Sequence, residues 1–273
     1  MPSRALRLTL AAGAVLLLAG TAASSEADRG YLAKPNVPDA IRLLRPPPAE
    51  GSGREADDRA AFLATRKLEG GARWALAASD ADLHPDHVLE QFSCAVGVKL
   101  NAASAPRVAA VFERVTPNVG DLVNPPKERF DRLRPYQAVP GDLAICVPKS
   151  AMLANNRSYP SGHAAISWTW GLILAELAPD RATEILLRAR AVGESRAVCG
   201  VHYPSDVEAG QLAASSLVAA LHGDAGFRAD MEGARAEIAA LRKAGPAPGG
   251  DCAAQIAADE KPAYWEVEPH NAP

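Results

Sequence analysis

Three short segments of this chain collect residue types that together can bind and transfer an anion. The first is Lys127-Glu128-Arg129-Phe130-Asp131-Arg132-Leu133-Arg134-Pro135. On a helix, Lys127 and Arg134 stand two turns apart, so both cations point the same way about 10 Å from each other. That spacing can embrace one tetrahedral anion. Arg129 and Arg132 fall off this face and are expected to be solvated, as most basic amphipathic turns are. The second segment is Ser158-Tyr159-Pro160-Ser161-Gly162-His163. Ser161 can cap the helix that follows, Gly162 lets a ligand come close to the backbone, and the first-turn amides have no helical acceptor of their own. Those amides form an anion seat, and His163 beside it can donate a proton to a departing oxygen. The third runs from Ser195-Arg196 through Gly200 to His202-Tyr203-Pro204-Ser205-Asp206. Pro204 suits the first position of a helix, which leaves His202 just ahead of it and Asp206 in its first turn. A carboxylate bonded to Nδ1–H fixes the tautomer and frees the Nε2 lone pair for attack.

Each segment has an ordinary reading as well. A capped helix often carries an incidental histidine, and a His-Asp pair at this spacing is a structural hydrogen bond about as often as a catalytic one. What raises them above that level is their sum: two histidines, three cations (Lys127, Arg134, Arg196), a helix N-terminus and an orienting acid.

The elements that must position these groups are almost all helical. Helical patterns run over Asp57 to Leu68, from His84-Pro85-Asp86 through Val96, and from Ser104-Ala105-Pro106 through Val115. Pro125-Pro126 is expected to start a short helix that Pro135 ends. A nearly uniform apolar helix spans His163 to about Leu177, followed by helices from Pro179 to about Arg196, Pro204 to Leu221 and Gly226 to Lys243. No segment shows sustained period-2 alternation. The fold class expected is all-α, a single-domain helical bundle with a buried central helix at His163 to Leu177. That helix carries Glu176 and is about 15 residues long, short for a membrane span. The organisation expected is a leader over 1–23, an irregular Pro/Gly-rich arm over 24–54, the helical domain over 55–245 and a loose tail over 246–273.

Arg4 and Arg7, the apolar run Leu8 to Gly20 and the small residues before Ser24 form the pattern of a secretory signal peptide, with cleavage expected after Ala23. Removing it leaves 250 of 273 residues, and Lys+Arg falls from 29 to 27 against 32 Asp+Glu, a net charge of −5. A mildly acidic chain is a poor nucleic-acid binder, so any anionic ligand must be held by a local cluster of cations. The compartment expected is periplasmic or secreted, without stable membrane insertion once the leader is gone. Four cysteines, Cys94, Cys146, Cys199 and Cys252, are compatible with disulfides in three possible pairings. Cys94 and Cys199 also read as core thiols. No Cys-x-x-Cys pair suggests zinc. The Ala-rich helical surface is compatible with a homo-oligomer without demanding one.

In order and internal spacing the three segments resemble the tripartite signature K-x6-R-P, P-S-G-H and S-R-x5-H-x3-D. It marks the superfamily of type 2 phosphatidic acid phosphatases and vanadium haloperoxidases. With a leader and the wording Ser-Tyr-Pro-Ser-Gly-His, the chain looks most like the bacterial class A non-specific acid phosphatases. The resemblance covers Lys127 to Asp206 strictly and the flanking helices more loosely. It implies a phosphomonoester substrate, no metal and no cofactor. It also implies His202 as nucleophile, Asp206 as its orienter, His163 as acid and then base, and a phosphate seat of Lys127, Arg134, Ser161, Gly162 and Arg196. Two departures, Arg157 where the class usually has Gly and Ala164 where it has Thr, bear on substrate range. The rival readings are a vanadate-dependent haloperoxidase, a membrane lipid phosphatase and a non-catalytic periplasmic phosphate-binding protein. A neutral His202 and a protonated His163 are needed together, so the expected activity peaks in mild acid. A rate profile on a phosphomonoester that stays flat from mild acid into strong alkali would contradict this.

Overall fold

The structure, a computed structural model, describes residues 30–261, 263 and 264; the leader expected over 1–23 lies outside them. Among the described residues there is no strand. The principal helices are α1 (Gly53–Thr65), α2 (Ala72–Ser79), α3 (Pro85–Val96), α4 (Pro106–Phe130) and α5 (Gly162–Leu177). They are followed by α6 (Ala182–Val198), α7 (Pro204–Leu221), α8 (Ala225–Ala244) and α9 (Cys252–Glu260).

Apolar on nearly all sides, α5 has no face to give to water and lies at the centre of the bundle. Its main neighbours are α6 and α7, with α4 and α8 on one flank, while α1, α2, α3 and α9 pack around α6. The approach of α7 to α5 is close because position 210 carries no side chain. A Cβ on Gly210 would stand 2.5 Å from the Ser161 carbonyl oxygen and 3.2 Å from the Ala165 nitrogen. Backbone atoms at that range cannot be displaced cheaply, so glycine here sets how near α7 comes to the start of α5.

The sequence divides α4 at Pro125; the structure does not. One helix continues from Pro106 to Phe130 with Pro117, Pro125 and Pro126 inside it. Val108, Val111, Phe112, Val115, Val119 and Leu122 recur at helical spacing and are all buried, and Phe112 stacks on Trp170 with ring centroids 4.9 Å apart. Burial along that face, at about 1.5–3 kcal/mol for a full apolar side chain, exceeds the cost of the lost backbone bonds. The helix ends where Asp131 takes a left-handed conformation, φ 49°, with its N–H bonded to the Lys127 carbonyl.

Both ends of the described chain are tied down. In the arm, the Tyr31 and Leu32 amides donate to Asn118 Oδ1 at 2.8 and 3.0 Å, and Asn118 Nδ2 donates back to the Leu32 carbonyl. The C-terminal segment, expected to be a loose tail, instead carries α9. Cys252 forms a disulfide with Cys94, and Asp259, buried, pairs with Arg188 at 3.2 Å. The composition of 246–250 suggested looseness, but a covalent bond and a buried ion pair override it. The other disulfide joins Cys146 to Cys199, so neither Cys94 nor Cys199 is a free core thiol. Among the described residues no helix is long and apolar enough to cross a membrane.

Replacing Gly210 with alanine should destabilise the protein by about 1–3 kcal/mol, the usual cost of overpacking. A thermal melt checks this, and an unchanged midpoint would show that the close approach of α5 and α7 is dispensable.

Candidate active site

Four places in the chain converge at one end of the bundle: the last turns of α4, the N-terminus of α5, the last turn of α6, and the loop from α6 into α7. Lys127 belongs to α4. Arg134 does not share its helix, contrary to the two-turn spacing expected for the pair. The left-handed Asp131 stops α4, and Pro135 biases the residue before it away from the helical conformation. Arg134 is accordingly extended (φ −73°, ψ 153°) and caps the single turn Pro135–Ala138. The two cations still meet, because Arg134 is close enough to depress the Lys127 pKa.

Backbone carbonyls hold both of these cations. Lys127 Nζ donates to the Arg157 carbonyl. Arg134 Nε donates to the carbonyls of Asn156 (2.7 Å) and Leu153 (3.1 Å), and Nη1 to that of Val201 (2.8 Å). Arg196, 3% exposed, keeps Nε and Nη1 without a partner. Buried guanidinium donors are nearly always satisfied, so two left open on one group are available to an anion. Burial lowers the Lys127 pKa to about 7, with Arg134 adding to the effect. Burial also lowers Arg196 to about 10.

The geometry around His202 fixes its tautomer. Arg134 Nη1 lies 3.1 Å from Nε2. A guanidinium only donates, so Nε2 accepts and the ring proton sits on Nδ1. Nδ1 faces Asp206 Oδ2 and Ser158 Oγ, each at 3.4 Å. Asp206, fully buried, is itself held by the Ser158 hydroxyl and by the Tyr203 amide at 2.8 Å. Gly200, at φ +80°, turns the chain between Arg196 and His202; a Cβ there would stand 2.5 Å from Arg66 Nη1.

His163 occupies the first turn of α5 and is partly exposed, whereas His202 is buried behind the cations. His163 Nε2 lies 3.3 Å from the Ala81 carbonyl, an acceptor only, so Nε2 carries a proton. Both imidazole pKa values lie well below the usual 6.5, first through burial and then through neighbouring cations, Arg196 for His163 and Arg134 for His202. Ser161 Oγ accepts the Ala164 amide at 3.3 Å, which leaves its hydroxyl hydrogen for a ligand. A Cβ on Gly162 would meet only Val123 at 3.7 Å, so nothing within the chain itself requires glycine there.

Arg132, expected to be solvated, is almost buried. Nη1 pairs with Asp206 Oδ1 at 2.6 Å and Nη2 with Asp58 Oδ2 at 2.7 Å. The helical-wheel argument failed because α4 ends before Arg132, and no sequence signal tied Asp58, on α1, to this site. Of the two departures, Arg157 pairs with Asp131 at the surface. Ala164 is buried against α6 and α7, its Cβ 3.4 and 3.3 Å from where Gly193 and Gly210 would carry theirs, so it bears on helix packing. Among the described residues no cluster of three or more His, Cys, Asp or Glu could hold a metal ion.

The family model of the PAP2 superfamily matches residues 113–227, the span that contributes every group above except Asp58, Arg66 and Ala81. An acid phosphatase of Zymomonas mobilis is 46% identical over 211 residues, covering 77% of this chain and 79% of its own. Non-specific acid phosphatases of Providencia stuartii and Salmonella typhimurium are 37% and 32% identical, covering 82% and 71% of this chain and 90% and 78% of theirs. The chain belongs to the PAP2 superfamily, within it to the acid phosphatases of the class A type.

An anion seated beside Lys127 should oppose the depression of its pKa, so a filled site should hold more protons than the free one. Anion binding should therefore draw protons from solution and weaken as pH rises through about 7. Sulfate, which takes up no proton itself near neutrality, is the probe. Calorimetry in two buffers of different ionisation enthalpy should report proton uptake. An affinity independent of pH across that range would contradict the assignment.

Proposed function

We propose that this chain is an exported acid phosphatase that hydrolyses phosphomonoesters through a covalent phosphohistidine at His202, without a metal ion. The observation that carries the reading is the state of His202. Its Nε2 is a hydrogen-bond acceptor 3.1 Å from Arg134, and its protonated Nδ1 lies 3.4 Å from the buried Asp206 carboxylate. A neutral imidazole held in that tautomer is a nucleophile aimed into a cluster of cations.

In the first half-reaction Nε2 attacks phosphorus, the bond to the ester oxygen breaks, and His163 gives its proton to the departing alkoxide. Asp206 keeps the Nδ1 proton in place and stabilises the positive ring. In the second half, His163 takes a proton from water, the water oxygen attacks phosphorus, and the bond to Nε2 breaks to release phosphate. The Ala81 carbonyl on Nε2 leaves His163 Nδ1 as the nitrogen that gives and takes this proton. Lys127, Arg134 and Arg196, with the Ser161 hydroxyl and the Gly162 amide, bind the three equatorial oxygens. Three cations supply the charge stabilisation that a divalent metal gives elsewhere, which supports metal independence.

An alcohol in place of that water would receive the phosphoryl group, so transfer can compete with hydrolysis. A cavity of about 380 Å³ beside Lys127 is lined by Asn124, Glu128, Met152, Asn155, Asn156 and Arg157. Amides that both donate and accept, with a bendable methionine, support a broad range of leaving groups. Export rests on the leader pattern ahead of the described residues.

The test is release of p-nitrophenol from its phosphate ester. His202→Ala should reduce kcat by about three orders of magnitude or more. Rapid acid quench of the wild-type protein should be replaced by a neutral or alkaline one, because a phosphoramidate is acid-labile; a phosphohistidine should then be found on His202. His163→Ala should retain a first turnover on this good leaving group and then stall. Full activity in His202→Ala would end the proposal, and bromide oxidation by vanadate-loaded protein without ester cleavage would favour the haloperoxidase reading.

A further inference from the structure

Behind the carboxylate that faces His202 lies a second layer of charge, in which Arg132 bridges two buried carboxylates. Nη1 donates to Asp206 Oδ1 at 2.6 Å and to Ser205 Oγ at 2.8 Å, and Nη2 donates to Asp58 Oδ2 at 2.7 Å. Asp58, 3% exposed, also accepts the Ser205 amide at 3.0 Å and the Ser205 hydroxyl. The guanidinium lies over the Tyr203 ring, 4.1 Å from its centroid. Both Asp206 oxygens are thereby engaged, Oδ1 by Arg132 and Oδ2 by the Ser158 hydroxyl and the Tyr203 amide, which fixes the carboxylate with Oδ2 3.4 Å from His202 Nδ1.

We propose that Arg132 and Asp58 are a positioning pair that acts on His202 through Asp206, Arg132 fixing the carboxylate and Asp58 restoring the negative field that Arg132 would otherwise cancel. The inference rests on the phosphohistidine reading. One cation and two carboxylates leave a net charge of −1 beside the ring. Were Asp58 absent, Arg132 and Asp206 would sum to zero, and the positive ring formed on phosphorylation would face the cations with no net counter-charge. The pKa of Arg132 is raised: burial acts to lower it, and Asp206 and Asp58 more than offset that. The other groups facing His202 are Arg134, Lys127 and Arg196, with His163 across the seat; Asp206 also feels Lys127, Arg134, Tyr159 and Tyr203. Of these, Tyr159 and Tyr203 also feel Arg132, and Tyr203 feels Asp58; both tyrosines are held above their usual pKa and stay neutral across the acid limb.

The two partners make opposite predictions, which separates an electrostatic role from mere damage. Asp58→Asn removes a negative charge, makes the ring harder to protonate and should move the acid limb of the kcat profile to lower pH. Arg132→Gln removes a positive charge and should move that limb to higher pH. Each displacement should be roughly half a pH unit or more. The double variant Asp58→Asn with Arg132→Gln should return the limb toward its original place. In each single variant kcat on p-nitrophenyl phosphate should fall about tenfold or more, with KM within about threefold. Arg132→Lys keeps the charge but loses the fork, so its limb should stay in place while kcat falls partway. Melting temperatures of all four report folding. Shifts of the same sign, or limbs that do not move in folded variants, overturn the pair's role. If the wild-type protein forms no phosphohistidine, the reading of His202 and this inference both fall; if it does and the limbs stay fixed, only this inference falls.

Discussion

Concentrated positive charge without a matching set of carboxylates is the condition on which the site depends. Lys127, Arg134 and Arg196 are all less than a tenth exposed. Salt bridges would neutralise them. Instead, Lys127 and Arg134 lean on carbonyls of the 153–157 segment and of Val201, and Arg196 keeps two donors unspent. Carbonyl dipoles satisfy donors without cancelling a full charge, so the seat retains its attraction for an anion even though the whole chain is mildly acidic. The carboxylates stand one layer behind. Asp206 stands beside His202 with Asp58 behind it across Arg132, and Asp80 lies within electrostatic reach of Arg196.

That second layer explains why residues remote from the signature matter. Asp80, buried, binds Arg188 and accepts the Ser195 hydroxyl, while Arg73 donates to the same hydroxyl at 2.9 Å. Arg188 in turn reaches Asp259 on α9, and the Cys94–Cys252 disulfide holds α9 to α3. Ser195, the residue beside Arg196 in the signature, is therefore an anchor between α6 and this network. The Cys146–Cys199 disulfide and the backbone bond from Cys146 to Cys199 fix the chain just after Arg196. On a loop-entropy model a closed loop of this length contributes about 4 kcal/mol, and the restraint falls on the segment that must present Arg196 and His202 together.

Much of this was legible beforehand because its determinants are local. The helix beginning at Pro204 and the helix ending at Leu177 follow from proline at a first turn, a serine cap and an uninterrupted apolar run. The signature residues could be selected because anion chemistry calls for particular side-chain types, and those types stood at defined intervals. The helix runs through Pro125-Pro126, against the local proline rules, because a buried face extends from Val108 to Lys127 across Pro117. Arg132 escapes a local reading for the converse reason: its partners Asp58 and Asp206 come from α1 and α7, and a wheel drawn on one segment contains neither.

Sequence alone determined the helical class, the three signature segments and the kinds of groups available for phosphoryl chemistry, since these depend on side-chain identity and short-range periodicity. Tertiary structure alone decided the pairing of the four cysteines, the tautomer of His202, the unpaired donors of Arg196 and the bridge from Asp58 through Arg132 to Asp206. Each of those is a relation between atoms brought within a few ångströms by packing, such as the approach of α7 to α5 at Gly210. Distance in space along a folded chain is not a function of distance in sequence.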